Sequence, residues 1–187
     1  MKVDTTTLPG VLLFTPVVRG DARGSFHESW QLARYAEAGV PTRWVQDNVS
    51  RSRRGVLRGL HFQHPDAQGK LISVLAGEIL DVAVDIRRGS PAFGCGTSAV
   101  LSGDNHRQLY VPEGFAHGFL VLSDEAIVQY KCTEYYRPDQ EQVLAWNDPA
   151  LGLDWPRSNP ILSPKDAASR RLDEFPVHAL PTFVPIA

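Results

Sequence analysis

Two of the six histidines in this 187-residue chain stand inside short apolar runs, His61 in RGLHFQ and His117 in PEGFAHGF. Histidine is the side chain best suited to take up and return a proton near neutral pH. Taken singly, a histidine on an apolar strand is by default a packed core residue with its nitrogens satisfied, so its neighbours must decide its role. A histidine base that accepts a proton at one ring nitrogen needs an acceptor at the other, and Asp166 and Asp81 are the candidates. Asp166 has a second reading. In S-P-K-D, Ser163 falls at an N-cap, Pro164 at the first helical position and Asp166 at the third, a capping-box variant. In AIVQYKCTEYY, strand parity puts Tyr130, Cys132, Glu134 and Tyr136 on one face and Tyr135 on the other, so Tyr130 and Tyr136 either line one pocket or pack a barrel wall. Of the cluster Arg51, Arg53, Arg54 and Arg58, only Arg58 lies inside a patterned run. It has opposite parity to His61, so if both face a pocket, Gly59 must break the strand with a bulge.

The elements that must position these groups read as short strands. ISVLAGEILDVAVDIR sets Leu80, Val82, Val84 and Ile86 on one face and Asp81, Ala83 and Asp85 on the other, broken by a turn at Gly77. RWVQDNVS, GVLRGLHFQ, TSAVLSG, RQLYVP, HGFLVLS and AIVQYKCTEYY continue the pattern, and 15 Gly with 14 Pro punctuate it. One helix is predicted at WQLARYAEAG, with Ser29 as N-cap and Gly39 as stop. So many short strands predict one mainly β domain over 1–187, an antiparallel barrel or jelly roll. The Pro-rich segment 156–187 allows one short helix at SPKDAASRRL. A net charge of -2 removes any global attraction to nucleic acid or anionic lipid, so an anionic ligand must be held by a local cluster. Two cysteines, Cys95 and Cys132, without C-x-x-C spacing fit reduced thiols. With neither a signal-peptide pattern nor a membrane-length apolar run, the chain is expected in the cytoplasm.

Two spacings carry more. G-x5-H-x-Q-x6-K-x6-G, from Gly55 through His61, Gln63 and Lys70 to Gly77, resembles the first cupin motif, and P-x-G-x-x-H, from Pro112 to His117, resembles the second. In metal-binding cupins these motifs supply three His and a Glu. Here Gln63 replaces a His, and Lys70 falls where the Glu belongs. An ammonium repels a divalent ion and cannot ligate until it loses its proton, which implies a cupin barrel without metal. Lys70 then takes over the electrostatic task of stabilising charge on a substrate oxygen, and His61 with Lys70 forms the minimum set for removing a proton α to a carbonyl.

The blocks DARGSFHE, QDNVSRSRRGVLRGLHFQ, AQGKLISVLAGEILDVAVDIRRGSPAFG, LYVPEGFAHGF, YKCTEYY, WNDPALGLDWP and ILSPKD together resemble the dTDP-4-dehydrorhamnose 3,5-epimerase family over about residues 21 to 166. The resemblance implies a cofactor-free and metal-free cupin-type jelly-roll homodimer with exchanged N-terminal strands. Such enzymes invert C3 and C5 of dTDP-4-dehydro-6-deoxy-D-glucose. It implies His61 as base, Asp166 as its carboxylate partner, Tyr130 as proton donor and Lys70 facing the C4 oxygen. Arg58 and His117 are implied on the sugar and diphosphate. Arg23, Phe26 and Glu28, with Gln46, Asn48, Glu141 and Lys165, are implied as nucleotide or sugar contacts, and Tyr136 as the aromatic stacked on thymine. Phe62 stands where many members have Tyr, and Cys95-Gly96 where a Trp commonly follows the SPxFG turn. The same catalytic set would serve a mono-epimerase acting at C3 or C5 alone, and related barrels carry out 3,4-ketoisomerisation. A non-catalytic binding module has no need of His61, Lys70, Tyr130 and Asp166 together.

Overall fold

The structure, a computed structural model, describes residues 1–184; the last three residues of the Pro-rich segment lie outside the described residues. In chain order the elements are β1 (Lys2–Thr5), β2 (Leu12–Thr15), β3 (Arg19–Asp21), β4 (Gly24–Phe26), α1 (Leu32–Glu37), β5 (Gln46–Arg53), β6 (Leu57–Gln63) and β7 (Lys70–Ala76). They continue through β8 (Glu78–Asp85), β9 (Gly96–Ser102), β10 (Gln108–Val111), β11 (Phe115–Val121), β12 (Glu125–Cys132), β13 (Glu141–Val143) and α2 (Pro164–Ala167). Two antiparallel sheets, ordered β1-β2-β10-β7-β12-β5 and β13-β6-β11-β8-β9, face each other as a cupin-type jelly roll, and β3 and β4 form a separate hairpin. No helix among the described residues is long and apolar enough to cross a membrane.

Apolar contacts form three layers. Between the sheets, Ile72, Val74, Ile79, Ala83, Leu101, Leu109, Phe115, Phe119 and Val128 fill one part of the interior. Behind the five-stranded sheet, Leu60, Phe62, Val82, Val84 and Ile86 pack against Leu151, Leu172, Phe175 and Leu180 of the C-terminal segment. Behind the six-stranded sheet, Phe14, Leu71 and Tyr110 pack against Tyr35 of α1 and Val40. This arrangement explains β8. The alternation in its sequence is present, but the face with Asp81, Ala83 and Asp85 turns into the barrel rather than to water, and all three are buried.

Two helix boundaries differ from expectation. Helix α1 is capped by Gln31, whose side chain accepts the Arg34 N–H at 2.8 Å. Ser29 cannot cap it, because its carbonyl is held by Gln108 Nε2 on β10 at 2.9 Å and Trp30 stacks on Tyr35 before the helical turn begins. Gly39, at φ +85°, follows the helix as expected. Helix α2 stops at Ala167 instead of continuing towards Leu172, and 3-10 turns follow at Leu172–Glu174 and Val177–Ala179. The reason is packing: Leu172 must reach the outer sheet face, where its N–H is fixed by Asp148 Oδ2 at 2.7 Å.

The bulge required by the parity of Arg58 and His61 is present. Against β11, His61 pairs with His117 but Arg58 pairs with Phe119, so two residues of β6, Gly59 and Leu60, oppose the single Gly118 of β11. Gly59 sits at φ +122°, where a Cβ would lie 2.6 Å from Gly118 Cα and 2.7 Å from His117 O. Replacing Gly59 with Ala adds left-handed strain of about 1–2 kcal/mol and overpacking of about 1–3 kcal/mol. Equilibrium denaturation of Gly59→Ala is therefore expected to show a loss of about 2–5 kcal/mol; a change under about 0.5 kcal/mol, the range of an ordinary surface substitution, would mean that the bulge does not need glycine.

Candidate active site

The polar part of the barrel interior is a cavity of about 340 Å³. The six-stranded sheet contributes Gln46, Asn48 and Ser50 from β5, Lys70 from β7 and Tyr130 from β12, and the opposing sheet contributes Arg58, His61, His117, Phe119 and Glu141. Gln68, Tyr136 and Lys165 complete the wall. The inward parity of β5 carries Gln46, Asn48 and Ser50, so Ser50, which the sequence reading missed, was two residues from a residue it named. The Ser50 hydroxyl is buried without a partner. Phe119 follows in the same way from His117, whereas Gln68 lies in a loop and carries no periodic signal.

His61 Nε2 lies 2.6 Å from Asp166 Oδ1. The other oxygen of Asp166 accepts from Ser163 Oγ at 2.8 Å, and the Asp166 N–H donates to Ser163 Oγ at 3.1 Å. The two readings of Asp166 therefore coexist: the cap fixes the carboxylate, and the carboxylate fixes the imidazole. With Nε2–H donated to Asp166, Nδ1 is the nitrogen left to accept a proton, and Glu141 Oε1 stands 3.8 Å from it. Asp81 does not serve His61. It lies 2.8 Å from His117 Nε2, fully buried, with its second oxygen unpartnered.

Burial pushes the His61 imidazole below its ordinary pKa, opposed by Asp166 and assisted by Lys70 and Lys165. Burial alone would raise the Asp166 carboxyl, but the hydrogen bonds from His61 and Ser163 outweigh it and hold the group below the usual carboxylate range. Lys70 is buried, with no hydrogen bond or ion pair to its ammonium among the described residues. Desolvation drives its pKa down, and Asp81 works against that fall. Burial raises the Tyr130 phenol, with Arg58 opposing, so the phenol stays protonated at neutral pH. The cavity thus holds a neutral imidazole, a buried lysine amine and a protonated phenol.

Around the mouth, Tyr136 donates to Glu141 Oε2 at 2.7 Å, Lys165 contacts the same oxygen, and the Tyr136 N–H is held by Gln46 Oε1 at 2.9 Å. Tyr130 and Tyr136 do line one cavity, but strand parity is not the cause for Tyr136, because β12 ends at Cys132. Arg58 donates to Ser52 Oγ at 3.0 Å, and Asn48 accepts from Gln46 Nε2 at 2.9 Å. Arg23, Phe26 and Glu28 do not reach the cavity of their own chain. Arg23 pairs with Asp21, Glu28 pairs with Arg34 at 2.7 Å, and Phe26 is 72% exposed near the hairpin.

Because Asp166 supports the imidazolium and burial opposes it, a proton NMR titration of His61 is expected to give a midpoint below the ordinary value of about 6.5. Asp166→Asn moves that midpoint further down. The sign is the same for folding: a depressed histidine pKa contributes stability that is fully present above pH about 6.5 and is lost as pH falls towards the folded value. An upward shift in Asp166→Asn would contradict the assignment.

The sequence model of the dTDP-4-dehydrorhamnose 3,5-epimerase family matches residues 5–174. The chain is 53% identical over 171 residues to the dTDP-4-dehydrorhamnose 3,5-epimerase of Neisseria gonorrhoeae, a match covering 91% of this chain but 52%, about half, of that protein. Against the enzyme of the same designation from Methanothermobacter thermautotrophicus, identity is 50% over 176 residues, covering 92% of this chain and 95% of the other. The crystal structure of dTDP-6-deoxy-D-glucose-3,5-epimerase from Legionella pneumophila in complex with dTDP-4-keto-L-rhamnose superposes with a TM-score of 0.96 at 50% identity, covering 98% of this chain and 99% of that one. With the family model matched across most of its length and about half its residues shared with these relatives, the chain belongs to the dTDP-4-dehydrorhamnose 3,5-epimerase family.

Proposed function

We propose that the chain is an isomerase that inverts C3 and C5 of dTDP-4-dehydro-6-deoxy-D-glucose, giving dTDP-4-dehydro-L-rhamnose. The observation that carries this reading is the meeting of the His61–Asp166 pair, the unpaired Lys70 ammonium and the Tyr130 phenol in one cavity. C3 and C5 both flank the C4 carbonyl, so removal of either proton gives an enolate with its charge on the C4 oxygen. His61 Nδ1 abstracts the proton, Asp166 stabilises the resulting imidazolium, and Lys70 stabilises the enolate oxygen. Inversion requires the new proton to arrive on the opposite face. His61 belongs to the five-stranded sheet and Tyr130 to the six-stranded sheet, so a sugar between the sheets has its base on one side and its acid on the other.

His117, held by Asp81, and Arg58 contact the sugar and diphosphate. Gln46, Asn48, Glu141 and Lys165 contact sugar or nucleotide, and Tyr136 stacks on the thymine. Lys70 makes a metal unnecessary, because its fixed positive charge does for the enolate what a Lewis acid would do. The protein acts as a cytoplasmic homodimer. Exposed Val17, Val18, Phe26 and Leu32 around the β3–β4 hairpin supply apolar surface for a second copy, and Arg23, Phe26 and Glu28 then reach the partner's cavity.

Turnover in deuterium oxide tests the reaction, with label expected at both C3 and C5 of the product; label confined to one carbon sinks the double inversion. Tyr130→Phe is expected to lower product formation by about 10²–10⁴, while recovered substrate still gains solvent label with unchanged configuration. Loss of exchange together with inversion would make Tyr130 part of abstraction instead. Lys70→Met removes the enolate's counter-charge at little steric change and is expected to raise the barrier by about 2.7–4 kcal/mol, the scale of a lost oxyanion donor. Turnover near that of the unsubstituted protein would dismiss the role.

A further inference from the structure

One inversion leaves the site in the wrong state for the next. The proposed mechanism moves one proton from a sugar carbon to His61 and one from Tyr130 to that carbon, leaving an imidazolium and a phenolate. A second inversion on the same bound sugar needs both groups restored. The two face each other from opposite sheets across the sugar, so a direct exchange between them is blocked by the substrate. Asp166 does not provide an exit. It is 3% exposed, engaged by both His61 Nε2 and Ser163 Oγ, and lies on the side of the ring away from Nδ1.

The ionisable groups around His61 are Asp166 and Lys165 from α2 and its neighbourhood, Glu141 from β13, Lys70 from β7, His117 from β11, Tyr130 from β12 and Arg58 on its own strand. Among the described carboxylates, Glu141 is the one that presents an oxygen within 4 Å of Nδ1, at 3.8 Å. Its other oxygen is tied to Tyr136, 48% exposed, and to Lys165, which is also exposed at the mouth. One carboxylate thus spans the distance between the base and the outer surface. A gap of 3.8 Å is longer than a hydrogen bond, but contacts of this kind tighten when the complex forms, and an imidazolium attracts the carboxylate as a neutral ring does not.

We infer that Glu141 resets His61 between the two inversions, accepting the proton from Nδ1 and passing it to water at the cavity mouth. This rests on the double epimerisation proposed above. The Nδ1–H bond breaks and a carboxyl O–H bond forms at Oε1. That bond in turn gives its proton to water, while Tyr130 takes one proton from water, so the cycle is balanced. An ordinary carboxylate is a weaker base than imidazole by about two pKa units, a penalty of about a hundredfold in the transferred population. Burial of His61, which weakens the imidazole as a base, narrows that gap. Glu141 acts here through His61, as a relay and positioning residue, rather than on the reacting carbons.

Single-turnover quench-flow with Glu141→Gln distinguishes a relay from a simple substrate contact. Relative to the first inversion in the same variant, the second is expected to slow by about 10²-fold, the scale of a lost proton-transfer group. Singly inverted sugar nucleotide is then released, where the unsubstituted protein releases little. Adding a small buffer such as imidazole, which can carry the proton instead, restores the doubly inverted product. Glu141→Asp keeps the charge with less reach and carries the same test should the glutamine variant fail to fold, with an intermediate, buffer-responsive release expected. A raised KM with both inversions reduced together, or a loss insensitive to buffer in either variant, overturns the relay. Failure of the unsubstituted protein to label both carbons overturns the parent reading instead, independently of Glu141.

Discussion

An ammonium buried without a partner is the group that the rest of this barrel has to accommodate. Among the described residues no hydrogen bond offsets the desolvation of Lys70, which is opposed only by the fields of Cys132 and of Asp81, the latter fully buried and bonded on one oxygen. A fold selected for stability alone would place an apolar side chain there, since replacing buried ions by well-packed hydrophobic residues is often neutral or stabilising. The uncompensated charge is useful only when an anion arrives. On the proposed mechanism an enolate oxygen supplies that anion, and a group already in place needs no reorganisation at the moment of reaction.

Such a site can be tolerated because the apolar burden is carried elsewhere. Both sheets are covered on their outer faces, one by the C-terminal segment through Leu172, Phe175 and Leu180, the other by α1 through Tyr35. The interior is therefore free to divide into an apolar part around Ile72, Leu109 and Val128 and a polar part around Lys70 and His61. The bulge at Gly59 completes the division, turning Arg58 and His61 into the same cavity from one strand. Its glycine has both a positive φ and a backbone neighbour where a Cβ would be, so the position of the base depends on a residue with no side chain.

Local patterns made much of this legible in the sequence. Period-two alternation located the strands, and the opposite parity of Arg58 and His61 requires a bulge at Gly59 if both are to face one pocket. The chemistry of S-P-K-D showed the capping role of Asp166, while the need of a histidine base for an acceptor named it, with Asp81, as a partner. What was not legible depends on long-range packing. Asp81 could have served either histidine, and only the pairing of β8 with β11, which sets Asp81 beside Phe119 and close to His117, assigns it. Ser29 looks like a helix cap by type but is claimed by Gln108, 79 residues away. Arg23, Phe26 and Glu28 lie outside the cavity of their own chain, and no periodicity in the sequence could show that.

The size of the cavity bears on which partner moves during the reaction. At about 340 Å³ it lies at the small end of the roughly 300–1,000 Å³ usual for ligand sites, suited to the sugar but not to the whole sugar nucleotide. On the proposed function the nucleotide lies towards the mouth, where Tyr136, Glu141 and Lys165 are linked to one another. His61, Lys70 and Tyr130, by contrast, project from strands paired on both edges, which leaves little freedom for a side chain to travel from one sugar carbon to another. A single base can serve both C3 and C5 only if the ring turns and the protein does not. On the proposed mechanism an anchored nucleotide joined to the ring through rotatable diphosphate bonds permits that turn, and the C4 oxygen, common to both enolates, is the atom that stays with Lys70.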